Sequence, residues 1–274
     1  MTLTIGTGPF GPQAAGTFNF ERSGPDHVLY FEESLRRVRV FFNGEKIADS
    51  TRMKLLHETG LLPVYYFPKE DVRAELLEPT DHHTRCPFKG EASYYSIVVD
   101  DRRSENAAWY YPDPIKGAPA LEGYIAFYWD KVDHWYEEDE EILVHPPDPY
   151  HRIDVRESSR HVRVLVGEDL VAETTSPVIL FETGLPPRYY FALQDVRTEL
   201  LVPSETTTRC PYKGLASYHS LKTAEGVAED LIWHYPEPRP EVDRIAGRLA
   251  FFNERVDIEV DGEPQERPIT RWSP

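Results

Sequence analysis

A cysteine between two basic residues is the first candidate for chemistry in this sequence. Cys86 lies between Arg85 and Lys89 in the block Thr-Arg-Cys-Pro-Phe-Lys-Gly, residues 84–90. Neighbouring positive charge favours the thiolate, which is the nucleophilic form of cysteine. His82 and His83 lie just upstream as candidate bases. Proline and glycine in the block predict a turn, and free cysteine is also commonly a small buried apolar residue, so both interpretations stay open.

The same block recurs at residues 208–214 as Thr-Arg-Cys-Pro-Tyr-Lys-Gly, without the histidine pair. Thr206 and Thr207 occupy the two upstream positions, so a shared cysteine–histidine mechanism lacks its base in the second copy. Basic residues that occur twice in an acidic chain are natural partners for an anionic ligand. These matched pairs are Arg39 and Arg163, Arg73 and Arg197, Arg85 and Arg209, and Lys89 and Lys213.

The alternative role for these cations is a structural network with matched acids. The acids are Glu58 and Glu182, Asp71 and Asp195, and Glu75 and Glu199. Glu58 is the most informative because it follows an apolar run, where a carboxylate needs a partner. Tyrosine and tryptophan also recur, and both line ligand clefts as well as sheet cores. The candidate ligand-binding residues are Glu58, Tyr66, Arg73, Arg85, Cys86, Lys89 and Trp109, with Glu182, Tyr190, Arg197, Arg209, Cys210, Lys213 and Trp233.

The elements that must position these residues come from a tandem duplication. Adding 124 to a residue number carries 27–133 onto 151–257 without a gap. We therefore expect an N-terminal extension over 1–26, a first repeat domain over 27–136, and a second repeat domain with a C-terminal tail over 151–274. The acidic, proline-rich segment 137–150 is expected to connect them.

Strand patterns dominate each copy. Residues 38–42 alternate, Asn43-Gly44 predicts a two-residue hairpin turn, and residues 46–48 supply the returning strand. Tyr65 and Tyr66 should face opposite sides of their strand. Pro68 is expected to open one short helix that Pro79 ends. The fold class is therefore mainly β, with two copies of a small sheet system or open barrel and one short helix in each.

Five blocks occur in both copies: Glu-Thr-Gly, Tyr-Tyr-Phe, Asp-Val-Arg, Cys-Pro-[Phe/Tyr]-Lys-Gly and Trp-x-Tyr-Pro. Together they resemble domain-of-unknown-function family 427. The resemblance implies a β-tent-like domain, in which two sheets lean together over a pocket. Some β-tent relatives hold zinc with paired Cys-x-x-Cys motifs, but one cysteine per copy implies no such site here. The family also carries a nucleotidyltransferase-like heading, yet no Gly-rich phosphate loop or closely spaced metal-binding carboxylates occur.

Composition narrows the function further. The formal net charge of -17 argues against nucleic acid and anionic membrane surfaces as partners. With only two cysteines, no signal-like N-terminus and no long apolar run, we expect a cytoplasmic protein without a bound metal or cofactor. The leading hypothesis is a pocket for a small polar or anionic molecule in each copy. A non-catalytic binding or scaffold module and a cysteine-dependent enzyme are the alternatives.

Overall fold

A computed structural model gives the fold, and it describes residues 3–21, 23–224 and 226–274. The chain divides into two units, one ending at Asp148 and the other beginning at Pro149. The strands of the first unit are β1 (Leu29–Glu33), β2 (Val38–Phe42), β3 (Glu45–Ser50), β4 (Lys54–Glu58), β5 (Leu61–Pro68), β6 (Leu77–Cys86), β7 (Gly90–Val99), β8 (Arg102–Tyr110), β9 (Tyr124–Phe127), β10 (His134–Glu137) and β11 (Glu140–Ile142).

Two antiparallel sheets form this unit. The larger has the strand order β1-β4-β5-β9-β8-β7-β6, and the smaller has the order β11-β10-β2-β3. Alternation decides which residues enter the core, since Val38, Val40 and Phe42 are buried while Arg39 is not. Strand β11 begins three residues into the segment expected to be a connector, and its Ile142 packs in this core.

The second unit repeats this arrangement strand for strand. Its sheets have the orders β12-β15-β16-β20-β19-β18-β17 and β14-β13-β21-β22. The strands are β12 (Ile153–Glu157), β13 (Val162–Val166), β14 (Asp169–Thr174), β15 (Val178–Glu182), β16 (Arg188–Ala192), β17 (Leu201–Cys210), β18 (Gly214–Thr223), β19 (Gly226–His234), β20 (Arg248–Phe251), β21 (Asp257–Val260) and β22 (Glu263–Pro264). The prediction of a mainly β protein with two similar copies is confirmed.

The larger sheet of the first unit uses both of its faces. Tyr65 and Phe67 on β5 point into the core shared with the smaller sheet, whereas Tyr66 points to a separate cluster on the opposite face. The predicted division between Tyr65 and Tyr66 is therefore observed. That opposite face carries the cavity described below.

The predicted hairpin between β2 and β3 is also observed. Asn43 and Gly44 have φ values of 50° and 78°, so both turn residues adopt the left-handed conformation that this tight turn requires. The turn between β13 and β14 differs, because Gly167 has positive φ and Glu168 does not.

The predicted single short helix is replaced by two short 3₁₀ turns, Lys69–Asp71 and Ala74–Leu76. Val72 between them is extended and bridges to Ala48, and the Arg73 N–H donates to the Ile47 carbonyl. These bonds to β3 prevent helical hydrogen bonding across the segment. The other 3₁₀ segments are Trp129–Lys131, Leu193–Asp195, Thr198–Leu200 and Pro240–Ile245.

Candidate functional site

A buried ion-paired cluster lies at the end of β4. Glu58 Oε1 is 2.9 Å from His27 Nε2, and Glu58 Oε2 accepts a hydrogen bond from Lys89 Nζ. Both Glu58 and Lys89 are buried, so each compensates for the desolvated charge of the other. The second unit repeats the cluster with His151, Glu182 and Lys213.

Electrostatics in the second copy show how strongly the pair is coupled. Burial opposes ionisation of Glu182, but Lys213 and His151 outweigh it and lower the pKa of Glu182 to about 2. Burial alone would lower the pKa of Lys213, yet the charge of Glu182 raises it above its ordinary value. Both groups are therefore charged at neutral pH. The lysine is committed to its glutamate and is not a free cation for a ligand.

The turn between β6 and β7 delivers Lys89 to this cluster. Gly90 has a φ of 109°, and a Cβ there would lie 3.2 Å from the Asp113 carbonyl oxygen, so a side chain would strain the turn. The Ile115 N–H donates to the Lys89 carbonyl at 3.1 Å, which ties the turn to the loop after β8. Phe88 stacks on His27 with 3.6 Å between ring centroids.

A cavity of about 260 Å³ opens beside the cluster in the first unit. Its lining combines an ion pair and hydroxyl groups with aromatic and aliphatic side chains. The lining residues are Leu56, Glu58, Leu61, Leu62, Val64, Tyr66, Thr84, Lys89, Tyr94, Trp109, Tyr111 and Tyr128.

Hydrogen bonds and ring contacts fix the aromatic walls. Trp109 Nε1 donates to the Tyr66 hydroxyl at 3.3 Å, and the Trp109 and Tyr128 ring centroids are 4.5 Å apart. The Tyr94 hydroxyl and Thr84 Oγ1 share a hydrogen bond of 2.6 Å. Burial raises the pKa of Tyr66 and of Tyr111 well above the ordinary tyrosine range. These hydroxyls are therefore protonated and can donate hydrogen bonds at neutral pH.

Four predicted residues of the first copy line the cavity: Glu58, Tyr66, Lys89 and Trp109. Cys86 packs against the aromatic cluster on the same face and has a free thiol. Within the part of the chain that the structure describes, no hydrogen bond joins Cys86 to an imidazole. His82 instead packs on the Tyr94 ring, and His83 Nδ1 lies 3.3 Å from Ser93 Oγ.

The predicted arginines are not brought to the cavity. Arg73 is on the surface, where it pairs with Glu45 at 2.6 Å and with Glu75 at 2.8 Å. Arg85 is exposed, because alternation along β6 puts it on the face opposite Thr84 and Cys86.

The second copy follows the same pattern. Its predicted arginines, Arg197 and Arg209, are exposed, and Arg197 pairs with Glu199 at 2.8 Å. Tyr190 is buried, and Trp233 Nε1 donates to its hydroxyl at 3.1 Å. Cys210 has a free thiol at the end of β17, next to the turn that carries Lys213.

His27, Thr84 and Tyr128 are site residues that the sequence reasoning did not select. His27 was within reach, because it recurs as His151 at the start of the duplicated stretch. Thr84 recurs as Thr208 in the same block as the cysteine. Tyr128 carries no such signal, since the second copy has Phe252 at that position.

Comparison with known proteins gives the family. The model of the domain of unknown function DUF427 matches twice, over residues 30–138 and 154–262. The chain belongs to this family. No curated protein matches it. The predicted resemblance is thus confirmed, and each unit contains one DUF427 domain.

Across residues 3–21, 23–224 and 226–274, the two DUF427 domains and their flanking segments bring together no group of three or more His, Cys, Asp or Glu side chains able to hold a metal ion. Over the same ranges, no helix is both long and apolar enough to cross a membrane. The lining of the candidate site consists of aromatic and aliphatic side chains, hydroxyls and a neutralised ion pair.

The two DUF427 domains differ at the cavity wall. Val64, which lines the cavity of the first domain, corresponds to Arg188 in the second. Arg188 is buried and makes two hydrogen bonds to Glu254, at 2.7 and 2.6 Å. Thr270 Oγ1 also donates to Glu254, at 2.6 Å. An internal ion pair thus lies beside the aromatic wall of the second domain.

The domains also differ at a stacked pair on the two strands that follow the Cys-Pro turn. Tyr95 and Tyr110 stack with ring centroids 4.9 Å apart in the first domain, and His219 and His234 stack at 5.1 Å in the second. Burial lowers the pKa of both histidines, and His219 lowers that of His234 further. The cross-strand neighbours of the histidines are uncharged: Pro203, Ile232, Ser217 and Leu249.

This pair predicts a specific acid sensitivity of the second domain. Because the folded pKa of His219 and His234 lies below the unfolded value of about 6.5, the unfolded chain takes up protons first as the pH falls. Stability should therefore be full above about pH 6.5 and should decrease below it. The double substitution His219→Tyr/His234→Tyr, which copies the first domain, should flatten the melting temperature of the second domain between pH 7.5 and 5. Parallel pH profiles for parent and variant would contradict this.

Proposed function

We propose that the first DUF427 domain binds a small molecule with a flat apolar body and polar groups at its edge. The observation that carries this proposal is the cavity of about 260 Å³, whose walls include Tyr66, Trp109 and Tyr128. Aromatic walls with a few fixed polar groups are typical of small-molecule sites. Tyrosine hydroxyls and Thr84 supply hydrogen-bonding groups for the edge of the ligand.

The Glu58–Lys89 pair lines the cavity. Its charges cancel, and the same pair occurs in both domains, which supports a structural and positioning role. A cysteine-dependent reaction finds less support, because Cys86 has no imidazole partner within the described residues. The acidic composition supports a small-molecule partner in preference to nucleic acid.

Small molecules released from the purified full chain can test this proposal. The protein, purified without denaturant, is precipitated and the supernatant is compared by mass spectrometry with that of a Tyr128→Ala variant. Tyr128 lies at the rim with 36% of its surface exposed, so its removal should not create a buried void. Losing one stacking ring should weaken binding about three- to tenfold and reduce the released amount.

Phe252→Ala is the matched control, because Phe252 occupies the equivalent position in the second domain. It should leave the released molecule unchanged in identity and amount. Equal loss of the molecule in both variants, or release of the same molecule from Tyr128→Ala at the parental level, would count against a site at the first cavity.

A further inference from the structure

We infer that the ligand of the first domain carries a planar cation of the guanidinium or amidinium class, because the second domain holds such a group at the equivalent position. This inference rests on the proposed function and specifies the ligand. It starts from the pairing register. Val64 pairs with Leu56 in the first domain, and Arg188 pairs with Leu180, the residue 124 positions after Leu56, in the second. Arg188 therefore extends from the strand position that faces the cavity in the first domain.

The guanidinium of Arg188 is held by two kinds of contact. Its central carbon lies 5.5 Å from the ring centroid of Trp233 and 5.6 Å from that of Trp272, so aromatic rings flank it. The Glu254 carboxylate holds its edge through two parallel hydrogen bonds. In the second domain, a planar cation is thus buried against an aromatic side chain of the wall.

The first domain keeps one of the two tryptophans and a carboxylate position but not the arginine, and Trp272 lies in the C-terminal tail, outside the duplicated stretch. Trp109 and Trp233 are equivalent by register, because each pairs with an alanine of the neighbouring strand, Ala126 or Ala250. Asp130 stands at the sequence position of Glu254 and is exposed. Burial raises the pKa of Tyr128 to about 12, and Tyr94 and the charge of Asp130 contribute to this increase. Asp130 follows the lining residue Tyr128 by two positions, so a carboxylate lies next to the aromatic wall along the chain.

Charge in the cavity points the same way. Lys89 is neutralised by Glu58, and the predicted arginines lie elsewhere, so no uncommitted cation among the lining residues receives an anion. The tyrosine and tryptophan faces and Asp130 all favour positive charge. A ligand cation would take the place that the shorter Val64 side chain leaves open.

Three probes of nearly equal shape test the sign of the charge: benzamidine, benzamide and benzoate. Each is titrated into the full chain by calorimetry. We expect one site per chain and benzamidine affinity at least about tenfold above that of benzamide, with benzoate weakest. Val64→Arg should abolish benzamidine binding by supplying the cation internally. Asp130→Asn should reduce the preference for benzamidine over benzamide without weakening benzamide.

Leu35→Arg is the control for added positive charge, since Leu35 is 95% exposed and is not among the lining residues. It should bind benzamidine as the parent does. Equal or tighter binding of benzamide or benzoate would overturn the cation inference and leave the proposed function standing. Unchanged benzamidine binding in Val64→Arg, or an unchanged preference for benzamidine over benzamide in Asp130→Asn, would overturn the inference as well. Absence of binding by all three probes would count against both proposals.

Discussion

Replacing Arg188 with valine should lower the free energy of unfolding of the second domain by about 3–5 kcal/mol. The Glu254 side chain has no exposed surface, and Arg188 is its cationic partner. Burial opposes ionisation of Glu254, but hydrogen bonds from Arg188 and Thr270 help to outweigh burial, so the pKa of Glu254 lies below its ordinary value. Without the guanidinium, a buried carboxylate would keep only the Thr270 hydroxyl and a backbone N–H as donors. Urea unfolding that resolves the second domain would measure the loss.

The controls separate the buried pair from charge in general. Arg152→Ala removes an arginine that is 74% exposed and pairs with Asp154, so the change should stay within about 0.5 kcal/mol. Arg188→Val combined with Glu254→Val removes both charges and should recover much of the stability. A loss below about 1 kcal/mol for Arg188→Val alone would contradict the assignment of a tightly coupled pair.

Replacing Lys89 with methionine should destabilise the first domain by a similar amount, about 3–5 kcal/mol. Glu58 would then keep only the His27 contact at 2.9 Å while remaining buried. Lys213→Met is an internal replicate, because Glu182 and His151 form the same cluster in the second domain. Thermal unfolding should show a lower transition temperature for the domain that carries the substitution.

A double-mutant cycle with Glu58→Gln tests whether the loss comes from the pair. The combined Glu58→Gln/Lys89→Met variant should lose less than the sum of the two single variants. Lys46→Met is the exposed control, since Lys46 forms a surface pair with Asp49 and should change stability by no more than about 1 kcal/mol. Additive effects of Glu58→Gln and Lys89→Met would mean that the two charges do not depend on each other.

Short sequence patterns predict a hairpin turn and the two faces of a strand, because interactions between neighbouring residues determine both. Asn43-Gly44 specified its hairpin, and alternation separated Tyr65 from Tyr66, because both effects act over a few residues. The predicted short helix does not form because Val72 pairs with Ala48 in β3, a contact that the composition of residues 68–79 does not indicate. Long-range pairing overrode the local propensity.

Partner choice in the site was beyond local reasoning for the same reason. Lys89 pairs with Glu58, which is 31 positions away, whereas the nearer acids Asp71 and Glu75 pair with Arg52 and Arg73. The exposure of Arg85 was also beyond local reasoning, because the pattern of residues 77–86 does not predict a strand. Once β6 is known, alternation alone assigns Thr84 to the cavity and Arg85 to solvent.

Residues that both copies share identify only part of the cavity lining. Glu58, Lys89 and Trp109 are shared and line the cavity, whereas Val64 differs from its counterpart Arg188. The arginine at this position places the Arg188–Glu254 ion pair beside the aromatic wall of the second domain. In a duplicated chain, identical positions indicate the common fold, and the exceptions indicate where the structures of the two copies differ.

The buried Arg188–Glu254 pair also has a consequence for how this chain reaches its native state. Tandem copies with the same strand order can exchange equivalent strands during folding, and repeat proteins misfold in this way. If β5 replaced β16 beside β15, Val64 would stand where Arg188 belongs, and Glu254 would be buried without its cation. Such a hybrid would carry a penalty on the order of 3–5 kcal/mol. The Arg188–Glu254 pair therefore favours pairing of β15 with β16, the strand from its own half of the chain, over pairing with β5.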